Sequence, residues 1–144
     1  MIWLFLAHLA ATLYMTGLVW FVQIVHYPLF RLVGENRFVA FEKQHTWRTG
    51  LVVGPPMVLE LVTALVLIWQ RPAALGVFEV WLGAVLLGVI WASTIFVQMP
   101  LHLLLGEQPT RQLKRDLVRS NWLRTVAWSL RSLLVIYGAA ALMG

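Results

Sequence analysis

Four stretches of this chain are so long and apolar that they dictate its architecture: Ile2–Val25, Leu51–Trp69, Val77–Val97 and Leu123–Met143. Each approaches or exceeds the ~20 residues with which a helix crosses a hydrocarbon layer ~30 Å thick. A backbone in lipid finds no water to bond, so a spanning segment is a helix or a strand of a closed barrel. None of the four alternates apolar and polar residues, which removes the barrel. The sequence predicts an all-α integral membrane protein, a four-helix transmembrane bundle forming one domain over residues 1–144. The first stretch lacks a basic leader and is too long for a cleaved signal, so it counts as a span.

Only 12% of the residues are charged, and cysteine is absent. A soluble domain carries about twice that charge. Without thiols there are no disulfides or iron–sulfur clusters, which excludes a quinone-linked disulfide enzyme. The net charge of +5 does not imply nucleic acid, because the basic residues flank the apolar stretches. Arg31, Arg37, Lys43 and Arg48 follow the first span, and Arg111, Lys114, Arg115 and Arg119 follow the third. Only Arg71 marks the opposite side. The positive-inside rule then predicts a multi-pass protein of a bacterial-type inner (plasma) membrane, with both longer loops cytoplasmic and both termini outside. Membrane lipid is the immediate partner.

The chain also echoes itself. "FVQIVH" at Phe21–His26 answers "FVQMPLH" at Phe96–His102, and "TWRT" at Thr46–Thr49 answers "NWLRT" at Asn121–Thr125. Gln23 and Gln98 are 75 residues apart, and Arg48 and Arg124 are 76 apart. This reads as two tandem helical hairpins, 1–72 and 73–144, related by an axis along the membrane normal. A short interfacial helix is expected between spans one and two, where Phe38, Phe41 and Trp47 punctuate a polar segment.

Polar residues in spans are costly and face partners or cavities. Glu60 and Arg131 both lie ~14–15 Å from the ends of their spans, which predicts a structural ion pair near the midplane. Glu79 and His8 suggest a second pair on the outer side. At the cytoplasmic end, His26 and His102 close spans one and three, and Glu42 and His45 stand i, i+3 on one helical face. His26, His45, His102 and Glu42 are therefore the candidate metal ligands, with His45 or Glu42 as the catalytic base. Gln23, Gln98 and Asn121 are suited to hold imidazole tautomers, and Arg48 and Arg124 to receive an anionic or carbonyl group of a cofactor or ligand.

Three readings follow. The first is a metal-dependent oxidoreductase (Fe, Cu or Zn) acting on a lipophilic quinone-like or aromatic compound. The second is a b-type haem protein with His26 and His102 as axial ligands. The third is a non-catalytic small subunit of a larger membrane complex. Gly50/Gly54 and Ala84/Gly88 suit close helix packing, within the chain or in a homodimer.

The pattern "VQIVHYPLF…FVAFEKQHTWRTGLVVGPPMVLELVTAL…NWLRTVAWSLRSLL" resembles the small four-span bacterial membrane proteins near the anthrone oxygenase-like group. The resemblance covers most of the chain. It implies an oxygenase-like membrane fold with a buried histidine and an N-x-x-R-T-x-x-W element on the last helix, here Asn121, Arg124, Thr125 and Trp128. The His26/His45/His102 set is read from this chain and is not implied by the resemblance.

Overall fold

A computed structural model describes residues 2–73 and 75–143, all in helices and short links, with no strand among the described residues. Residues 1, 74 and 144, which fall at the predicted domain limits and within the second half of the repeat, lie outside them. Four helices are long and apolar enough to cross a membrane: α1 (Ile2–Leu32), α2 (Glu35–Trp69), α3 (Val77–Glu107) and α4 (Arg111–Met143). They form the four-helix bundle, and their outer faces are apolar: Trp3, Trp81, Phe96 and Leu133 all point to lipid.

Each helix outruns its apolar stretch. The 35 residues of α2 rise about 52 Å against a ~30 Å hydrocarbon layer. The helical segment expected between the first two spans is present, but it is not a separate interfacial element. It runs unbroken into span two, through Pro55 and Pro56. Likewise the basic stretch after Pro109 is the start of α4. Lys, Arg, Glu and Gln are good helix formers, so polarity there marks departure from lipid and not the end of the helix. All the overhang lies at the basic end.

That overhang folds like a soluble domain. Tyr27, Phe30, Phe38, Leu105 and Leu117 form a buried cluster, with Phe41 and Leu113 packed on it. Outside the hydrocarbon layer such burial is driven by water, at roughly 25 cal/mol per Å². Inside lipid that drive is lost, and polar contacts and close packing take over. There Arg131 Nε–H donates to Glu60 Oε1 at 2.9 Å, while the Thr12 hydroxyl (2.7 Å) and the Trp128 indole (3.0 Å) also donate to the carboxylate. Arg131 further donates to the Gly83 carbonyl and lies 3.3 Å from His8 Nε2. His8 Nδ1 meets the Thr63 hydroxyl at 2.8 Å, so its partners are Arg131 and Thr63; it has no bond to Glu79.

Two backbone irregularities recur. Val22–His26 in α1 and Thr94–Gln98 in α3 are π turns, closed by i−5 bonds from Tyr27 N–H to Val22 O and from Met99 N–H to Thr94 O. Pro28 and Pro100 follow immediately. A proline ring crowds the carbonyl four residues back, and widening the preceding turn relieves the crowding. Both turns and both prolines are 72 residues apart, a backbone register that differs from the 75–76 of the side-chain matches.

α1 packs on α2 and α4, and α3 packs on α4 and, at both ends, on α2. A cleft lies between α2 and α3. Gly50 and Gly54 line it, and a Cβ on either would meet nothing within 4 Å. Within the chain they border the open cleft and make no close helix–helix contact.

Candidate metal centre

The cleft encloses a cavity of about 710 Å³. Its interior wall is mostly apolar, with Met15, Val19, Met57, Trp91 and Trp128 toward the membrane. Toward the basic end it is lined by Glu42, His45 and His102. Exposed Val58, Ile95, Met99 and Leu103 rim its side, so the cavity opens laterally between α2 and α3, from the apolar stretch into the overhang.

Glu42 and His45 sit on one face of the α2 overhang, and His102 reaches them from α3. One ligand atom from each lies within 4.8 Å of the other two, a span that small side-chain rotations close onto one cation. Each histidine is braced from behind. His45 Nδ1 lies 2.9 Å from His26 Nε2 and 3.1 Å from the Thr49 hydroxyl. His102 Nε2 lies 2.9 Å from the Tyr27 hydroxyl. His102 Nδ1–H donates to Glu42 Oε1 at 2.5 Å.

Two buried atoms in this group have no partner among the described residues: Glu42 Oε2 and His45 Nε2. A buried polar atom without a hydrogen bond costs ~1–3 kcal/mol. Both are lone-pair donors on the same cavity wall, which is the chemistry a divalent cation takes. With Nε2 as the lone-pair nitrogen of His45, Nδ1 carries the proton and donates to His26 Nε2. The donor set fits a metal.

His26 therefore stands one step from the role expected of it: it orients His45 and lies outside the three-residue group. The aromatic shell of Phe30 and Phe41 closes on His45, with ring centroids 4.9 and 6.1 Å away. Tyr27 and Thr49 complete the support. Neither was singled out by sequence, although the "HYP" run marks where Pro28 resets the helix register.

The amides expected to hold imidazoles instead hold an arginine. Asn121 Oδ1 accepts from Arg124 Nε (3.0 Å) and Nη2 (2.5 Å), and Gln98 Oε1 lies 3.4 Å from Nη2. Asn121 Nδ2 in turn donates to Gln23 Oε1 at 2.8 Å, and Gln23 Nε2 to the Val118 carbonyl at 3.1 Å. Gln23, Gln98 and Asn121 lie about a turn deeper than the histidines, which puts them level with the guanidinium. Gln98 and Arg124 line the cavity, while Gln23 and Asn121 stand behind it. Arg48 is exposed and off the cavity wall. Six residues past Glu42 and three past His45, it points about 120° around α2 from the first and about 60° from the second, on the side away from Glu42.

Comparison with protein-family models, with curated proteins and with solved structures finds no match for this chain.

Proposed function

We propose that this chain is a membrane-embedded, metal-dependent oxidoreductase of oxygenase-like type, acting on a lipophilic quinone-like or aromatic compound. One observation carries the reading. Two imidazoles and a carboxylate from different helices converge, with two orphaned lone pairs, on the wall of a largely apolar cavity. Two histidines and one carboxylate are the donor set of non-haem iron oxygenases, which leave coordination positions open for reactants. The resemblance to the anthrone oxygenase-like group agrees with this. By the positive-inside rule, the clustered Arg and Lys residues support a site at the cytoplasmic end of a bacterial-type inner membrane, with both termini outside.

A redox-active ion held by Glu42, His45 and His102 supplies electron transfer and dioxygen chemistry when bound. The chain does the rest. His26 and Thr49 fix the His45 ring, and Tyr27 fixes His102. Glu42, through the carboxylate oxygen not given to the ion, is the group suited to accept a proton from a substrate hydroxyl or activated C–H. Met15, Met57 and Trp91 offer a polarisable, dry wall for a flat ring. The opening between α2 and α3 lets the compound enter from the bilayer.

A bis-histidine haem is less compatible with the geometry. The His45 ring stands between His26 and His102, with centroids 4.8 and 5.1 Å from theirs, where a porphyrin would have to lie. Elemental analysis of untagged purified protein tests the proposal. It expects about one iron per chain in the wild type and loss of that iron in His45→Ala. Metal content below a tenth of stoichiometric after iron reconstitution, or unchanged in His45→Ala, overturns it.

A further inference from the structure

Two arginines are buried on α4, and they are treated differently. Arg131, 2% exposed, is paired with the Glu60 carboxylate. Arg124, 7% exposed, has no carboxylate partner among the described residues. Its contacts are the oxygens of Asn121, Gln98 and Thr94, the last two long at 3.4 Å, and the Tyr27 hydroxyl, which also lies against the guanidinium; none is a carboxylate. A buried cation left uncompensated is costly, so its retention calls for an anion that is not part of the fold.

The surroundings hold the guanidinium ready. Gln98 Nε2 donates to the Ser120 hydroxyl at 2.9 Å, and Asn121 Nδ2 donates to Gln23. Both amides thus turn their oxygens toward Arg124. Trp91 Nε1, on the same cavity wall, is a further buried donor with no acceptor. At this depth the cavity lining therefore carries donors that the fold leaves unmatched, about a turn from Glu42, His45 and His102.

We propose that the cavity selects an acidic amphiphile, an apolar body bearing one ionised oxygen as carboxylate or phenolate, and that Arg124 receives the charge. This rests on reading the cavity as the substrate site, and it names the class of substrate. His102 is four residues beyond Gln98 on α3, about 6 Å of rise. An ionised oxygen at Arg124 accordingly leaves the far side of a ring, or a carbon several bonds away, next to Glu42, His45 and His102.

The test uses 1-pyrenebutyrate and its methyl ester, followed by energy transfer from tryptophan to pyrene in a neutral maltoside detergent with metal chelated. The acid should bind about tenfold or more tightly than the ester. Arg124→Gln should abolish that preference and leave ester affinity unchanged, while Arg124→Lys should keep part of it. The preference should persist in His45→Ala, which separates this result from the fate of the metal. Equal affinity of acid and ester in the wild type overturns the proposal, and that comparison stands even if Arg124→Gln fails to fold. A preference that survives in folded Arg124→Gln also overturns it, and would move acid binding to the basic groove beside Arg115 and Arg119.

Discussion

His26 Nε2 lies 2.9 Å from His45 Nδ1, so a histidine of α1 contacts a cavity-lining histidine of α2 whose other nitrogen is buried without a partner among the described residues. On the proposed reading the two rings have separable roles: one orients, the other donates. His26→Ala is expected to weaken metal affinity about 10–100-fold without changing the saturating stoichiometry. His45→Ala should abolish tight binding. Calorimetric titration of the purified protein with Co(II) reads both, and an equal loss in the two variants would make His26 a ligand.

Acid should weaken the site. His102 Nδ1–H donates to Glu42 Oε1 at 2.5 Å, and for Nδ1 to give its lone pair to a cation that proton must leave. Protons and metal therefore compete, so affinity rises with pH and falls as pH is lowered. Titrations in buffers of different ionisation heat should register net proton release on binding. Release of no protons would contradict ligation through His102 Nδ1.

Glu60 has no exposed surface and holds Arg131, Trp128 and Thr12 together. Glu60→Gln leaves a buried guanidinium uncompensated and should cost about 3–5 kcal/mol. Glu60→Gln combined with Arg131→Met should recover most of that loss. Unfolding in mixed micelles at increasing dodecyl sulfate measures it. A double variant no more stable than Glu60→Gln alone would remove the ion pair from the account.

Some of this was legible in the sequence, for physical reasons. Lipid makes every intramembrane charge conspicuous, so matching the depths of Glu60 and Arg131 is enough to pair them. Glu42, His45 and His102 stand similar distances past their apolar stretches, and a shared depth is what brings them together. The bracing role of His26 could not be read, because a ligand and its support are the same residue type at the same level. What turns His26 toward His45, and Tyr27 toward His102, is helix register after the π turn. Arg48 and Arg124 looked equivalent because the repeat aligns them, yet position around the helix exposes one and buries the other. Helix continuity past the membrane boundary was also hidden, since charge marks the edge of lipid and says little about backbone.

Gly54 lines the cavity, and a side chain there meets no neighbour within 4 Å at its Cβ. Gly54→Leu should fold normally and bind metal like the wild type. Its larger side chain should reduce affinity for the methyl ester of 1-pyrenebutyrate about tenfold. Unaltered ester binding would mean that lipophilic compounds lodge elsewhere.

X-ray absorption at the iron edge of untagged, reconstituted protein reads the centre itself. Glu42, His45 and His102 as ligands predict oxygen and nitrogen neighbours at about 2.0–2.2 Å, with outer-shell scattering from two imidazole rings per iron. His102→Ala should reduce that scattering to one ring. An iron shell without imidazole scattering, or one unchanged by His102→Ala, would contradict the account.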